Sequence, residues 1–73
     1  MKYNMKYSLI TKGENQEIVS EVEYKSIRKI SQALNTTYCS CYENFLMHYE
    51  NRPPPKKLSQ VRFNTKYKIV IRD

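Results

Sequence analysis

Glycine is almost missing from this chain: Gly13 is the only one in 73 residues, and Ala33 is the only alanine. A Gly-rich loop that cradles phosphate with its backbone is therefore excluded. Histidine is equally scarce, with His48 alone, and no carboxylate stands at a spacing that suggests an orienting partner. No nucleophile and base can be paired, and the expectation is a non-enzyme. The two cysteines, Cys39 and Cys41, cannot easily bridge each other on a helix, where successive side chains point about 100° apart. Together with His48 they offer three zinc-type ligands where a structural site needs four, at a spacing that fits no common finger. Neither a disulfide framework, nor a metal, nor a cofactor is expected. Long apolar runs are missing too. None reaches the length of a membrane span, and the opening residues MKYNMKYSLI hold no apolar stretch of signal-peptide length. The expected location is intracellular, in the cytoplasm or nucleus of a host if the protein is viral, or within a virion.

What is present is size for one small domain, tyrosine, and positive charge. At 73 residues the chain is one domain near the lower limit for a self-sufficient core. Only 40% of residues are hydrophobic, but seven Tyr and two Phe supply large buried areas if most of them converge. Thirteen Lys and Arg against seven acids leave a net charge of +6, which favours anionic partners such as nucleic acid. The charge is segregated: residues 1–12 carry +3, 13–24 carry −4, 25–42 carry +3, 43–50 carry −2 and 51–73 carry +6. The positive blocks bracket the middle of the chain.

Alternation marks the ends of the domain. Tyr3, Met5, Tyr7 and Leu9 alternate with polar residues, as on a half-buried strand. Gly13, free to take positive φ, predicts a turn. Ile18, Ser20, Val22 and Tyr24 then continue as the second strand of an antiparallel hairpin. The period changes at Ser26, a candidate N-cap, after which Ile27, Ile30 and Leu34 recur at helical spacing. Asn35 tolerates the left-handed conformation that ends a helix. Thr37 can cap a second helix with the stripe Cys41, Phe45 and His48 or Tyr49. Pro53, Pro54 and Pro55 stop helical structure and make residues 53–57 a stiff connector. Tyr67, Ile69 and Ile71 alternate again as a third strand.

These elements predict an α+β fold: one β-β-α-α-β domain over residues 1–73, a three-stranded antiparallel sheet with a helix-turn-helix pair. Tyr7, Leu9, Val22, Tyr24, Ile27, Ile30, Leu34, Cys41, Phe45 and Ile69 are the expected core.

The stretch "YKSIRKISQALNTTYCSCYENFL" resembles the nuclease-associated modular domain, the small DNA-binding repeat found beside the catalytic domains of intron-encoded homing nucleases. Tyr24, Ser26, Ile27, Ile30, Ser31, Leu34, Asn35 and Thr37 stand at the family's hairpin-end aromatic, Ser-Ile, small or aliphatic, Leu-Asn and second-helix positions. Ser40 and Cys41 occupy the place of a hydroxyl residue followed by an aliphatic one. The likeness covers roughly a third of the chain and implies duplex DNA binding through the second helix, without cleavage. Richness in Lys, Asn, Tyr and Ile also looks like the product of an AT-rich genome, such as that of a large DNA virus or phage.

A second helix lying in the major groove must reach bases from its N-terminal part, opposite Cys41 and Phe45. That nominates Thr37, Tyr38, Cys39, Ser40, Tyr42 and Glu43. None is an Arg, Lys, Asn or Gln, so direct readout should be modest. Lys25, Arg28 and Lys29 before and within the first helix, and Arg52, Lys56 and Lys57 after the second, are the candidates for binding phosphates. Tightening through another protein or a second copy is expected of so small a binder. The competing expectation is a viral structural protein, or an interaction or inhibitor module, that never touches DNA. Exposed tyrosines and free sheet edges suit that role.

Overall fold

The computed structural model describes residues 6–72 as β1 (Lys6–Lys12), β2 (Ile18–Tyr24), α1 (Ile27–Leu34), α2 (Tyr38–Tyr49), α3 (Leu58–Lys66) and β3 (Tyr67–Arg72). The architecture is α+β, with an antiparallel sheet in the order β2-β1-β3. Tyr3 and Met5, assigned by alternation to the first strand, lie outside the described residues.

Gly13 does start the hairpin turn, but not through positive φ, which falls on Gln16 at 63° instead. Gly13 leaves room for the Glu17 side chain: a Cβ there would lie 2.5 Å from Glu17 Cδ and displace its carboxylate. The Glu17 carboxylate folds over the turn to accept from the Asn15 amide at 2.9 Å, while the Gly13 amide donates to the Glu17 carbonyl at 2.8 Å.

Both helix starts follow from side-chain oxygens three residues upstream of free amides. Ser26 Oγ accepts from the Lys29 amide at 3.2 Å, and Thr37 Oγ1 accepts from the Ser40 amide at 3.3 Å. Both helices also end on a left-handed asparagine. Asn35 (φ 54°) lets the Thr36 amide reach the Ser31 carbonyl at 3.0 Å, and Asn51 (φ 56°) lets the Arg52 amide reach the Met47 carbonyl at 3.1 Å. This is the Schellman arrangement, which satisfies carbonyls that a helix end leaves open.

Strand register puts Leu9, Val22 and Ile69 in one row and Tyr7, Tyr24 and Ile71 in the next, on the face that receives the helices. Leu9, Ile27, Ile30, Cys41, Phe45, Leu46 and Ile69 form the core, with Tyr7, Tyr24, Leu34, Phe63, Tyr67 and Ile71 packed at its rim. Val22 is a correction: although in the same row as Leu9, it stays 47% exposed. The helices pack towards β3, with α2 and α3 against it, and leave β2 largely uncovered.

α3 is the element that apolar periodicity did not reveal. Its inward side chains are Gln60 and Asn64 as well as Phe63, so the buried stripe is largely polar. Pro53–Pro55 lie in the irregular segment that joins α2 to α3.

Candidate nucleic-acid interface

Ser26 to Tyr49 form a helix-turn-helix whose turn spans Asn35 to Thr37. Arg28 of α1 lies over the Tyr38 ring, 5.6 Å from its centroid. Tyr38 in turn stacks on Tyr42, one helical turn along, at 5.7 Å and 13°. The row continues through Phe45 to Tyr49, which stack at 5.1 Å and 18°. An open trough of about 470 Å³ runs beside these rings, between Tyr38, Tyr42 and Tyr49 on one wall, Arg28 at one end, and Tyr7 and Ile71 of the sheet. Spacing predicted the helices; the self-stacked row arises because i, i+4 aromatics meet on a helix surface.

The other flank of α2 is held by a buried amide network. Asn44, fully buried, donates through Nδ2 to Asn64 Oδ1 at 2.8 Å and to the Tyr67 carbonyl at 2.9 Å. Its Oδ1 accepts from the Ile69 amide at 2.8 Å. Gln60 donates through Nε2 to Asn64 Oδ1 at 3.0 Å and to the Ser40 carbonyl at 2.9 Å. This last bond holds the first turn of α3 against the first turn of α2. Lys56 and Lys57 immediately precede that turn, and both are exposed. None of these amides was nominated from the sequence, because their partners lie 20 to 25 residues away, apart from Gln60 and Asn64 on one helix face.

The nominated residues divide accordingly. Thr37, Tyr38, Cys39, Tyr42 and Glu43 are exposed along the first turns of α2. Ser40 is only half-exposed: its Oγ accepts from the Thr37 hydroxyl at 3.0 Å and its carbonyl accepts from Gln60 of α3. Lys25, Arg28 and Lys29 stay exposed at the start of α1. Arg52 lies past the far end of α2 and pairs with Glu50 at 2.7 Å, apart from the other cations of its set.

The cysteines and His48 do different jobs from one another. Burial pushes the Cys41 thiol up to about 11, so it stays protonated as a core side chain, whereas Cys39 is exposed. His48 Nδ1 donates to the Asn44 carbonyl at 2.9 Å when the proton sits on that nitrogen, and burial holds its pKa below the ordinary range. Among the described residues no three His, Cys, Asp or Glu side chains converge as metal ligands would, and no helix is long and apolar enough to cross a membrane. Comparison with protein-family models, with curated proteins and with solved structures finds no match to this chain.

Proposed function

We propose that this protein binds duplex DNA without cleaving it, presenting the first turns of α2 to the major groove and its basic flanks to the phosphates. One observation carries the reading: cations stand on both sides of the start of α2. Lys25, Arg28 and Lys29 lie on the α1 side, where Arg28 touches Tyr38. Lys56 and Lys57 lie on the α3 side, where Gln60 holds the helix to Ser40. Cations on both sides of the exposed first turn of a helix match the two phosphate ridges that border a groove. The net charge of +6 adds attraction independent of sequence. The likeness of residues 24–46 to the nuclease-associated modular domain points the same way.

Titration of random duplex at two salt concentrations tests this. Lys56→Ala and Lys57→Ala are expected to weaken binding equally on every sequence, and each should lower the salt slope by about 0.9 if its ammonium neutralises one phosphate. Arg52→Ala, remote from the start of α2, is the control that leaves affinity nearly unchanged. Low-salt affinity no better than that of an unrelated protein of equal net charge defeats the proposal.

A second reading, binding another protein, is favoured by β2: among the described residues no strand pairs with its outer edge, and Ile18, Val19 and Val22 stay 65%, 63% and 47% exposed.

A further inference from the structure

We infer that the face of α2 formed by Tyr38, Cys39 and Tyr42 reads thymine through its 5-methyl group, so that the preferred ligand is T-rich duplex DNA. The inference rests on the DNA-binding reading above and names what that surface selects. Base discrimination in the major groove normally uses Arg or Lys on guanine and Asn or Gln on adenine. The exposed side chains of the first two turns of α2 include none of these. They offer two aromatic rings, a thiol, the Thr37 methyl and one carboxylate, Glu43. The thymine methyl is the apolar group that the floor of the major groove presents, and apolar side chains are its partners.

The rings are also held ready. Tyr38 is sandwiched between the Arg28 guanidinium at 5.6 Å and the Tyr42 ring at 5.7 Å, and Tyr42 continues onto Phe45 of the core at 6.5 Å. Fixed rings lose little side-chain freedom on docking. Charge is supplied from both neighbouring helices: Arg28 of α1 lies over Tyr38, and the exposed Lys56 and Lys57 immediately precede the turn of α3 that Gln60 ties to Ser40, as phosphates border a row of thymine methyls. Glu43 can only accept hydrogen bonds, and the groove donors open to it are the amino groups of adenine and cytosine, so it does not itself distinguish A·T from G·C pairs and leaves the choice to the methyl.

Deoxyuridine tests this directly, because it removes the methyl and keeps every hydrogen-bonding group of thymine. Anisotropy titrations of the full chain would use one T-rich labelled duplex in its thymine and deoxyuridine forms, and one G·C-rich duplex with cytosine or 5-methylcytosine. The expected result is weaker binding of the deoxyuridine duplex, about fourfold for each methyl that the face covers, which is the worth of burying one carbon. The 5-methylcytosine duplex is expected to bind more tightly than its cytosine form, which separates methyl recognition from the shape of A·T-rich DNA. Tyr42→Phe should keep the preference and Tyr42→Ser should lose it. Equal binding of both forms of each duplex overturns the inference and leaves DNA binding standing, as does a preference abolished by Tyr42→Phe, since the hydroxyl then does the reading. Failure to bind any duplex overturns both.

Discussion

β2 and β3 pair with the same central strand, yet they are built for opposite conditions. β3 lies under α2 and α3, and two groups on its outer edge, the Ile69 amide and the Tyr67 carbonyl, are taken up by the Asn44 side chain. β2 is exposed along almost its whole length, with no strand beyond it among the described residues. Glu21 and Glu23 alternate with its apolar residues, and charge of this kind discourages edge pairing. The two strands meet across the face of the sheet opposite the helices, where the Arg72 Nη2 donates to Glu21 Oε2 at 3.0 Å over the central strand. Ser8 of β1 is fully buried there; its hydroxyl makes no hydrogen bond of good geometry, yet it lies near enough to draw the Glu21 carboxyl downwards. The difference shows that one edge of a small sheet can be capped in part by a single helix amide, Asn44, while the other is left to charge.

The largest effect should come from breaking the capped edge. Asn44→Leu leaves the buried Ile69 amide and Tyr67 carbonyl without partners, at about 1–3 kcal/mol each. A domain of this size has a total stability of roughly 4–11 kcal/mol, so urea unfolding should shift far towards lower concentration. An unshifted midpoint would mean that the edge is not capped by Asn44.

Truncation within a single row sharpens the comparison. Ile69→Ala removes a fully buried side chain and should cost about 2–5 kcal/mol. Val22→Ala, in the same row on the open strand, should change stability by only about 0.5 kcal/mol. Equal costs would show that β2 is covered in solution. Amide exchange offers a milder probe: the Ile69 amide should be among the slowest, and the outward amides of β2 should exchange at rates close to those of loops.

The smallest effects are those of pH, and they separate the two sides. His48 packs beside Ile69 and Val70, and burial holds its imidazole below the ordinary value of 6.5. The unfolded chain takes up this proton more readily than the folded one, so stability is full above pH 6.5 and declines as pH falls below it, until the folded imidazole titrates. Glu21 on β2 is held below the ordinary 4.5 by the Ser8 hydroxyl first and the Arg72 guanidinium second. Its contribution is present above pH 4.5 and lost as pH falls through the folded value. Between these two ordinary values only the β3 side should weaken, and His48→Gln should flatten that part of a pH-dependent unfolding curve while Glu21→Gln leaves it intact.

The starts of α1 and α2 and the turn between them could be read from the sequence, because each device there is local. Ser26 and Thr37 reach amides three residues away, Asn35 accepts the left-handed conformation by itself, and Ile27, Ile30, Cys41 and Phe45 declare their face by period. The strands were legible for the same reason, as was the exposed character of Tyr38 and Tyr42. Other features depended on packing between distant parts of the chain. The position of Val22 follows from where the helices settle, not from its alternation. The partial cover of Ser40 follows from α3, which no apolar pattern announces. Asn44, Gln60 and Asn64 read locally as surface residues, and they are buried or half-buried only because they satisfy one another and the β3 backbone. Local hydrogen bonding and periodicity thus determined α1, α2, the turn between them and the strands of this protein. Tertiary structure decided which edge was capped and which cations flank α2, since a polar side chain is stable in the interior only once its distant partner has arrived.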